Sequence, residues 1–227
     1  MSNIKDQIVI NEMYSLDETM AKPLLQKYTY PWEALPYIGD YITELIEKLD
    51  KTIYEERGEN VWIAKSAKIY PNNYIAGPCI IGERTEVRPG AFIRGNALVG
   101  DDCVVGNSTE LKNVILFNHV QVPHYNYVGD SILGFYSHMG AGSITSNVKA
   151  DKTLVHVKAE GVDIETGLKK FGAMLGDHVE IGCNSVLNPG AVICKDSNVY
   201  PTSMVRGIVP AHSIYKDKGD IAAKKNI

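Results

Sequence analysis

From Ile63 onward a bulky apolar residue returns at every sixth position: Ile63, Ile69, Ile75, Ile81, Val87, Ile93, Val99, Val105, Leu111 and Phe117. Pro123 departs from this chemistry, and the pattern resumes at Leu175, Ile181, Leu187, Ile193, Val199 and Val205. Four positions after most of the early members stands a small residue: Ala67, Cys79, Thr85, Ala91, Ala97, Cys103 and Thr109. A fixed period this short predicts a solenoid. Six residues make one short strand and one corner, so three hexapeptides close a three-sided coil with the bulky residue inside and the small one relieving the corner. Residues one coil apart then lie over one another at about 4.8 Å, the spacing of paired strands. The periodic residues therefore read as core, which leaves the corners and insertions to carry chemistry.

Residues 1 to about 59 lack this period. Ile38, Tyr41, Ile42, Leu45, Ile46, Leu49 and Ile53 follow helical spacing up to Gly58, with Asp40 as the expected N-cap. An open solenoid end exposes its apolar interior and unpaired strand edges, so this helix is expected to cap that end, the alternative being a partner-docking helix. Between Asn147 and Gly172 the repeat stops, and the alternation around Glu160-Gly161 predicts a projecting hairpin. Insertions on solenoids commonly carry binding function. The polar tail from Lys216 is expected to be loosely ordered. The predicted divisions are a helical region at 1–59, the repeat domain at 60–213 with an insertion at about 148–172, and a tail at 214–227.

Composition narrows the function. The chain has a formal net charge of −4 and no basic block, which argues against nucleic acid or anionic membrane as a partner. Any anionic ligand must meet locally placed cations. The N-terminal stretch has no apolar core of signal-peptide type and no eighteen apolar residues run together, so a soluble cytoplasmic protein is expected. The four cysteines, Cys79, Cys103, Cys183 and Cys194, show no CxxC spacing and read as reduced packing residues.

Arg88, Lys112 and His124 share a repeat phase, each directly following the interior position at Val87, Leu111 and Pro123. In an unbroken repeat Arg88 and His124 lie two coils apart on one face, about 10 Å from each other, and Lys112 lies on a neighbouring face. Two cations and a histidine suit a phosphate and a proton transfer. Solvation of the corners explains lysine and arginine equally well.

The strings EVRPGA (86–91), TELKN (109–113), PHYNYVGD (123–130) and MGAGSITSN (139–147) tilt the balance. In order and separation they resemble the acetyltransferase domain of the bifunctional UDP-N-acetylglucosamine pyrophosphorylase/glucosamine-1-phosphate N-acetyltransferases. KKFGAMLGDHVEIGCNSVLNPG (169–190) is similar to the archaeal type, and YPWEAL (30–35) extends the likeness upstream. The resemblance implies a left-handed parallel β-helix, an all-β fold with an N-terminal helical cap, assembled as a homotrimer with active sites between subunits. It implies acetyl-CoA as co-substrate, a hexosamine 1-phosphate as acceptor and no metal. Carried over by position, His124 is the general base, Arg88 and Lys112 hold the sugar phosphate, and Tyr127 contacts the sugar. Asn147 contacts both the acetyl end of acetyl-CoA and the sugar, and Lys152 lies near a ligand-contacting lysine. His138 stands where the family has a sugar-contacting asparagine. Cys183 stands at a serine and Pro201 at a small residue along the acetyl-CoA path. The nucleotidyltransferase half would need far more chain ahead of the repeat than these 59 residues, so no uridylyltransferase activity is expected, and a separate nucleotidyltransferase is the implied partner.

Two rival readings are kept. His119 and His124 reproduce the H-x4-H zinc spacing of γ-type carbonic anhydrases, but Glu83 stands where a third histidine is needed. A non-catalytic hexapeptide scaffold or binding protein would also tolerate the changes at His138, Cys183 and Pro201. His156, His178 and His212 follow no motif and read as surface residues.

Overall fold

The computed structural model describes residues 3–217 and 219–224, and the chain folds as a left-handed parallel β-helix with three flat faces. Strands such as Cys79–Ile81, Ala97–Val99, Ala173–Leu175 and Ala191–Ile193 stack on the first face. Glu86–Val87, Val104–Asn107, Gln121–His124, His138–Met139 and Glu180–Ile181 stack on the second. Phe92–Ile93, Ile144–Thr145, Val186–Leu187 and Met204–Val205 stack on the third. In the first coils, and again from Glu180 to Asn198, the register steps by eighteen residues, as in Cys79 with Ala97, whereas the last turn steps by sixteen, as in Val192 with Ile208 and Asn198 with Ile214.

In the middle coils the step is seventeen: Val99 lies against Leu116, Val105 against Val122, and Leu111 against Val128. The interior positions are therefore Leu116 and Val122, not Phe117 and Pro123. The residue is lost at the corner between the third and first faces, where Glu110–Leu116 and Tyr127–Leu133 run on as unbroken strands. Asn113 and Asp130 turn those corners at φ of 55° and 48°. Phe117 is displaced outward and is buried instead beneath Tyr14, ring centroids 5.0 Å apart.

The N-terminal region lies along the first face and does not sit over the open end. Its helix is Ile38–Ile46, with Tyr37 at the N-cap and Asp40 inside the first turn. Ile38, Ile42 and Ile46 are buried where the helix packs on the first-face strands. The outward side chains of that face, Ile80, Leu98, Ile115, Ile132, Met174 and Val192, are all buried as well. Strands covered on both sides read as continuous apolar runs, and CII, ALV, VIL, AML and AVI are such runs. Trp32 stacks on Tyr30 at 4.6 Å and tilts against Phe171 at 5.7 Å. The carboxylate of Asp177 accepts the backbone N–H of Ser15 (2.7 Å) and of Phe135 (2.9 Å), tying the N-terminal segment to the coil.

At each end of the coil one antiparallel strand covers the edge of a single face. Tyr54–Gly58, where helix had been expected, pairs with Val61–Ala64, and Ile221–Ala223 pairs with Ser213–Tyr215. The tail is thus partly ordered, and both additions remove an exposed parallel edge. Residues 148–172 leave the coil and carry a hairpin, His156–Ala159 against Val162–Glu165, turning at Gly161 with φ +69°.

Candidate functional site

Between the second and third faces runs an edge on which His124 ends the strand Gln121–His124. Its backbone is clamped from below and above: His124 pairs with Asn107, and its carbonyl accepts from Gly142 at 3.0 Å. Buried Asn126 holds the turn, its Oδ1 accepting the His124 N–H at 3.1 Å while its amide donates to the carbonyls of Gly140 (2.9 Å) and Ser143 (3.1 Å). The imidazole itself is exposed and makes no side-chain hydrogen bond or ion pair among the described residues. The same column continues through Ala141 to Cys183 and Pro201, as the ladder bonds Asn184 N to Ala141 O and Thr202 N to Cys183 O require. Two coil steps separate the His124 and Cys183 backbones, about 10 Å.

Arg88 occupies the same edge but a different column. The seventeen-residue coil sets it in line with Gly106 and Pro123, one residue short of His124, so the expected stacking of Arg88 and His124 is offset. Arg88 pairs with Glu86 at 3.5 Å. Beside the column, a groove of about 700 Å³ opens along the second face, lined by His138, Glu180, Cys183, Pro201, Ile214 and Lys216 among others. His138 Nδ1 lies 2.7 Å from Glu180 Oε2. Cys183 is exposed, whereas Cys79, Cys103 and Cys194 are buried with thiols pushed up to about 12 by desolvation.

Lys112, Tyr127 and Asn147 gather on the next edge, between the third and first faces. At its centre is buried Asp130, whose carboxylate accepts from Lys112 Nζ at 3.2 and 3.3 Å, Asn113 Nδ2 at 3.0 Å and Asn147 Nδ2 at 2.6 Å. Asn113, Asp130 and Asn147 follow one another at the seventeen-residue step, so the shortened corners create this cluster. Burial, followed by the negative charges of Asp130 and Glu110, raises the Tyr127 phenol above its ordinary value and keeps it a hydrogen-bond donor. Arg94, passed over by the sequence reading, stacks one coil below Lys112, its N–H donating to Leu111 O at 2.9 Å and its guanidinium pairing with Glu110 at 2.8 Å. The eighteen-residue spacing of Arg94 and Lys112 was the available clue.

Within one chain the structure brings Cys183, Pro201 and His138 to one groove, sets His124 lower on the edge that borders it, and gathers Lys112, Tyr127 and Asn147 on another edge. The third face lies between the two sets, and its outward Tyr74, Phe92 and Met204 are exposed. Lys152 stands exposed at the start of the insertion, in a left-handed turn with φ of 56°. Among the described residues no group of three or more His, Cys, Asp or Glu is placed to hold a metal ion. His119 belongs to a different edge from His124, stacked on Tyr136 at 4.4 Å, and Tyr136 stacks in turn on His178 at 5.7 Å.

Three comparisons bear on this arrangement. The chain is 31% identical over 198 residues to the bifunctional protein GlmU of Methanococcus maripaludis (strain C5), covering 86% of this chain and 48% of that one. It is 32% identical over 156 residues to a bifunctional sugar-1-phosphate nucleotidylyltransferase/acetyltransferase of Sulfurisphaera tokodaii, covering 69% and 39%. The chain thus spans about half the length, or less, of these curated relatives. A crystal structure of a putative acetyltransferase from Bacillus cereus aligns at a TM-score of 0.40 and 19% identity, covering 72% of this chain and 77% of that one. The family model described as GMPPB C-terminal domain matches residues 75–217, more than half of the chain and nearly all of its coils, and to that family the chain belongs.

Proposed function

We propose that the chain is an acetyl-CoA-dependent N-acetyltransferase whose acceptor is a hexosamine 1-phosphate, glucosamine 1-phosphate first among them. The observation that carries this reading is a histidine with an unengaged ring at the foot of an edge whose upper part borders a largely apolar groove, the shape an extended thioester needs. In the reaction the acceptor amine attacks the thioester carbonyl carbon. A C–N bond forms, the C–S bond breaks, His124 takes the amine proton, and the departing CoA sulfur receives it. Cys183, Pro201 and His138 border the donor, and Lys112, with Arg94 beneath it and Arg88 on the neighbouring edge, serves the sugar phosphate. Tyr127, Asn147 and Lys152 complete the acceptor side. Pairing in a homotrimer would bring one subunit's groove edge to the next subunit's Lys112 edge, and the exposed Tyr74, Phe92 and Met204 between the edges suit such a contact. Using the product would then require a nucleotidyltransferase, a class to which the names of the relatives also point.

The test is release of CoA thiol from acetyl-CoA against a panel of amino sugars and their 1-phosphates, with His124→Ala alongside. Acceptor-dependent release that falls by roughly 10²–10⁴ in the variant, with the fold intact, is the expected result. One observation favours a second reading, a non-catalytic binding protein: the Lys112 ammonium and the Asn147 amide are both engaged by Asp130. No CoA release with any acceptor from the folded protein would select that reading, and retained acetyl-CoA binding would count against it.

A further inference from the structure

A second cavity, of about 600 Å³, lies where the inserted hairpin folds back on the upper coils, bordered by Lys149, His156, Lys158, Asn188 and Arg206. It is separate from the His138 groove and shares no lining residue with it. From this cavity we propose a binding site for the diphosphate of a nucleotide-type ligand. Three permanent cations face it against one lining carboxylate, Asp151, which lies 3.5 Å from Lys149. Lys158 is held by Asp163 at 3.1 Å, as is His156 at 2.6 Å, so Asp163 orients both side chains from outside the cavity wall. Arg206 is exposed and makes no ion pair among the described residues. With Lys149 matched by Asp151 and Lys158 by Asp163, Arg206 leaves the cavity with a net positive charge in a chain whose formal net charge is −4.

The walls are fixed. His156 and Lys158 alternate with buried Val155 and Val157 along the hairpin strand, so both point away from the packed side. The hairpin backbone rests directly on two coil glycines. A Cβ at Gly207 would lie 2.2 Å from Lys158 O, one at Gly190 would lie 2.8 Å from His156 O, and both glycines have positive φ. The volume is that of a small-molecule site and exceeds what a lone phosphate fills. Exposed Val148 and half-buried Pro189 supply an apolar wall for the remainder of the ligand. A diphosphate bridging Lys158 and Arg206 satisfies the chemistry, and two sources carry it: a free nucleoside diphosphate, or the ADP portion of CoA.

The experiment is calorimetric titration of the whole chain with inorganic pyrophosphate, ADP and CoA, repeated on Lys158→Ala/Arg206→Ala. Both side chains are exposed, and Arg206→Gln alone provides a milder variant should the double one lose its fold. Pyrophosphate and ADP are expected to bind and to weaken about tenfold or more in the double variant, the effect of removing charge-assisted hydrogen bonds. If CoA weakens by the same factor, the acyl donor is the source; if CoA is unaffected while ADP weakens, the source is a free nucleotide. Affinities for pyrophosphate and ADP unchanged in both variants, or no binding by the wild-type chain at millimolar ligand, overturn the site. Because the readout is binding, failure of acetyl transfer would remove the proposed enzyme activity and leave this inference standing.

Discussion

Replacing Asp130 by Asn is the sharpest test of how the shortened corners build the Lys112 edge. The carboxylate is 6% exposed and receives three donors, one of them an ammonium whose own side chain is 26% exposed. An amide keeps the volume but turns an NH2 toward at least one of those donors and removes the counter-charge of Lys112. Breaking a fully buried pair costs about 3–5 kcal/mol. Lys112 can rehydrate in part, so about 2–3 kcal/mol is expected once solvent screening is allowed for. For a chain of this size that corresponds to a fall in Tm of about 5–10 °C. The assay is a thermal melt at fixed protein concentration, because association shifts apparent stability. Lys112→Met and the double variant complete a cycle, with a coupling of at least about 1 kcal/mol expected. An unchanged melt, or single effects that simply add, would refute the claim that Asp130 organises this edge.

Three further outcomes follow from the same geometry. If the acetyl-transfer reading holds, Arg94→Ala should raise the KM for the sugar phosphate about tenfold with kcat little changed, and more than Arg88→Ala does, since Arg94 shares a column with Lys112; equal effects would restore Arg88 to the phosphate site. Gly106→Ala should cost more than about 4 kcal/mol, measured by urea unfolding, because the new Cβ would stand 1.6 Å from the Pro123 carbonyl oxygen; Gly161→Ala, which meets nothing within 4 Å, should cost only about 1 kcal/mol through its positive φ. Burial raises the Asp177 carboxyl above its ordinary value of 3.8, so the folded state holds that proton more tightly than the unfolded chain. Its contribution is complete below the ordinary value and falls as pH rises through the raised one, so stability relative to Asp177→Asn should decline from pH 3.5 upward, and a difference that grows with pH would contradict this.

The site was less legible than the fold, for reasons visible in single residues. Phe117 satisfies the six-residue pattern by chemistry alone, since it is apolar and buried, yet it is buried on the outside against Tyr14. Pro123 was the visible mark of the change in period. Read as a substitution within the repeat, it set His124 in the phase of Arg88; read as a lost residue, it moves the interior to Val122. Arg94 stands eighteen residues before Lys112, the step that sets it one coil below, but it lies outside the motif strings that mark Arg88. The groove beside Cys183 and the cavity under the hairpin involve residues whose sequence separations follow no period, and only folding assembles them.

By itself the sequence determined the three-sided coil and most of its interior, Phe117 and Pro123 excepted: a bulky residue at every sixth position permits few other arrangements, because side-chain direction is dictated by local backbone period. It also held, in the apolar runs from CII to AVI, the fact that one face is covered on both sides. Tertiary structure alone decided which residues share a column. A corner that loses one residue leaves each local segment apolar and strand-forming, but it shifts every pairing above it, and pairing register is a property of two coils at once. The position of His124, the gathering of Lys112 and Asn147 on Asp130, and the seating of the hairpin on Gly190 and Gly207 all depend on that register, which no single segment encodes.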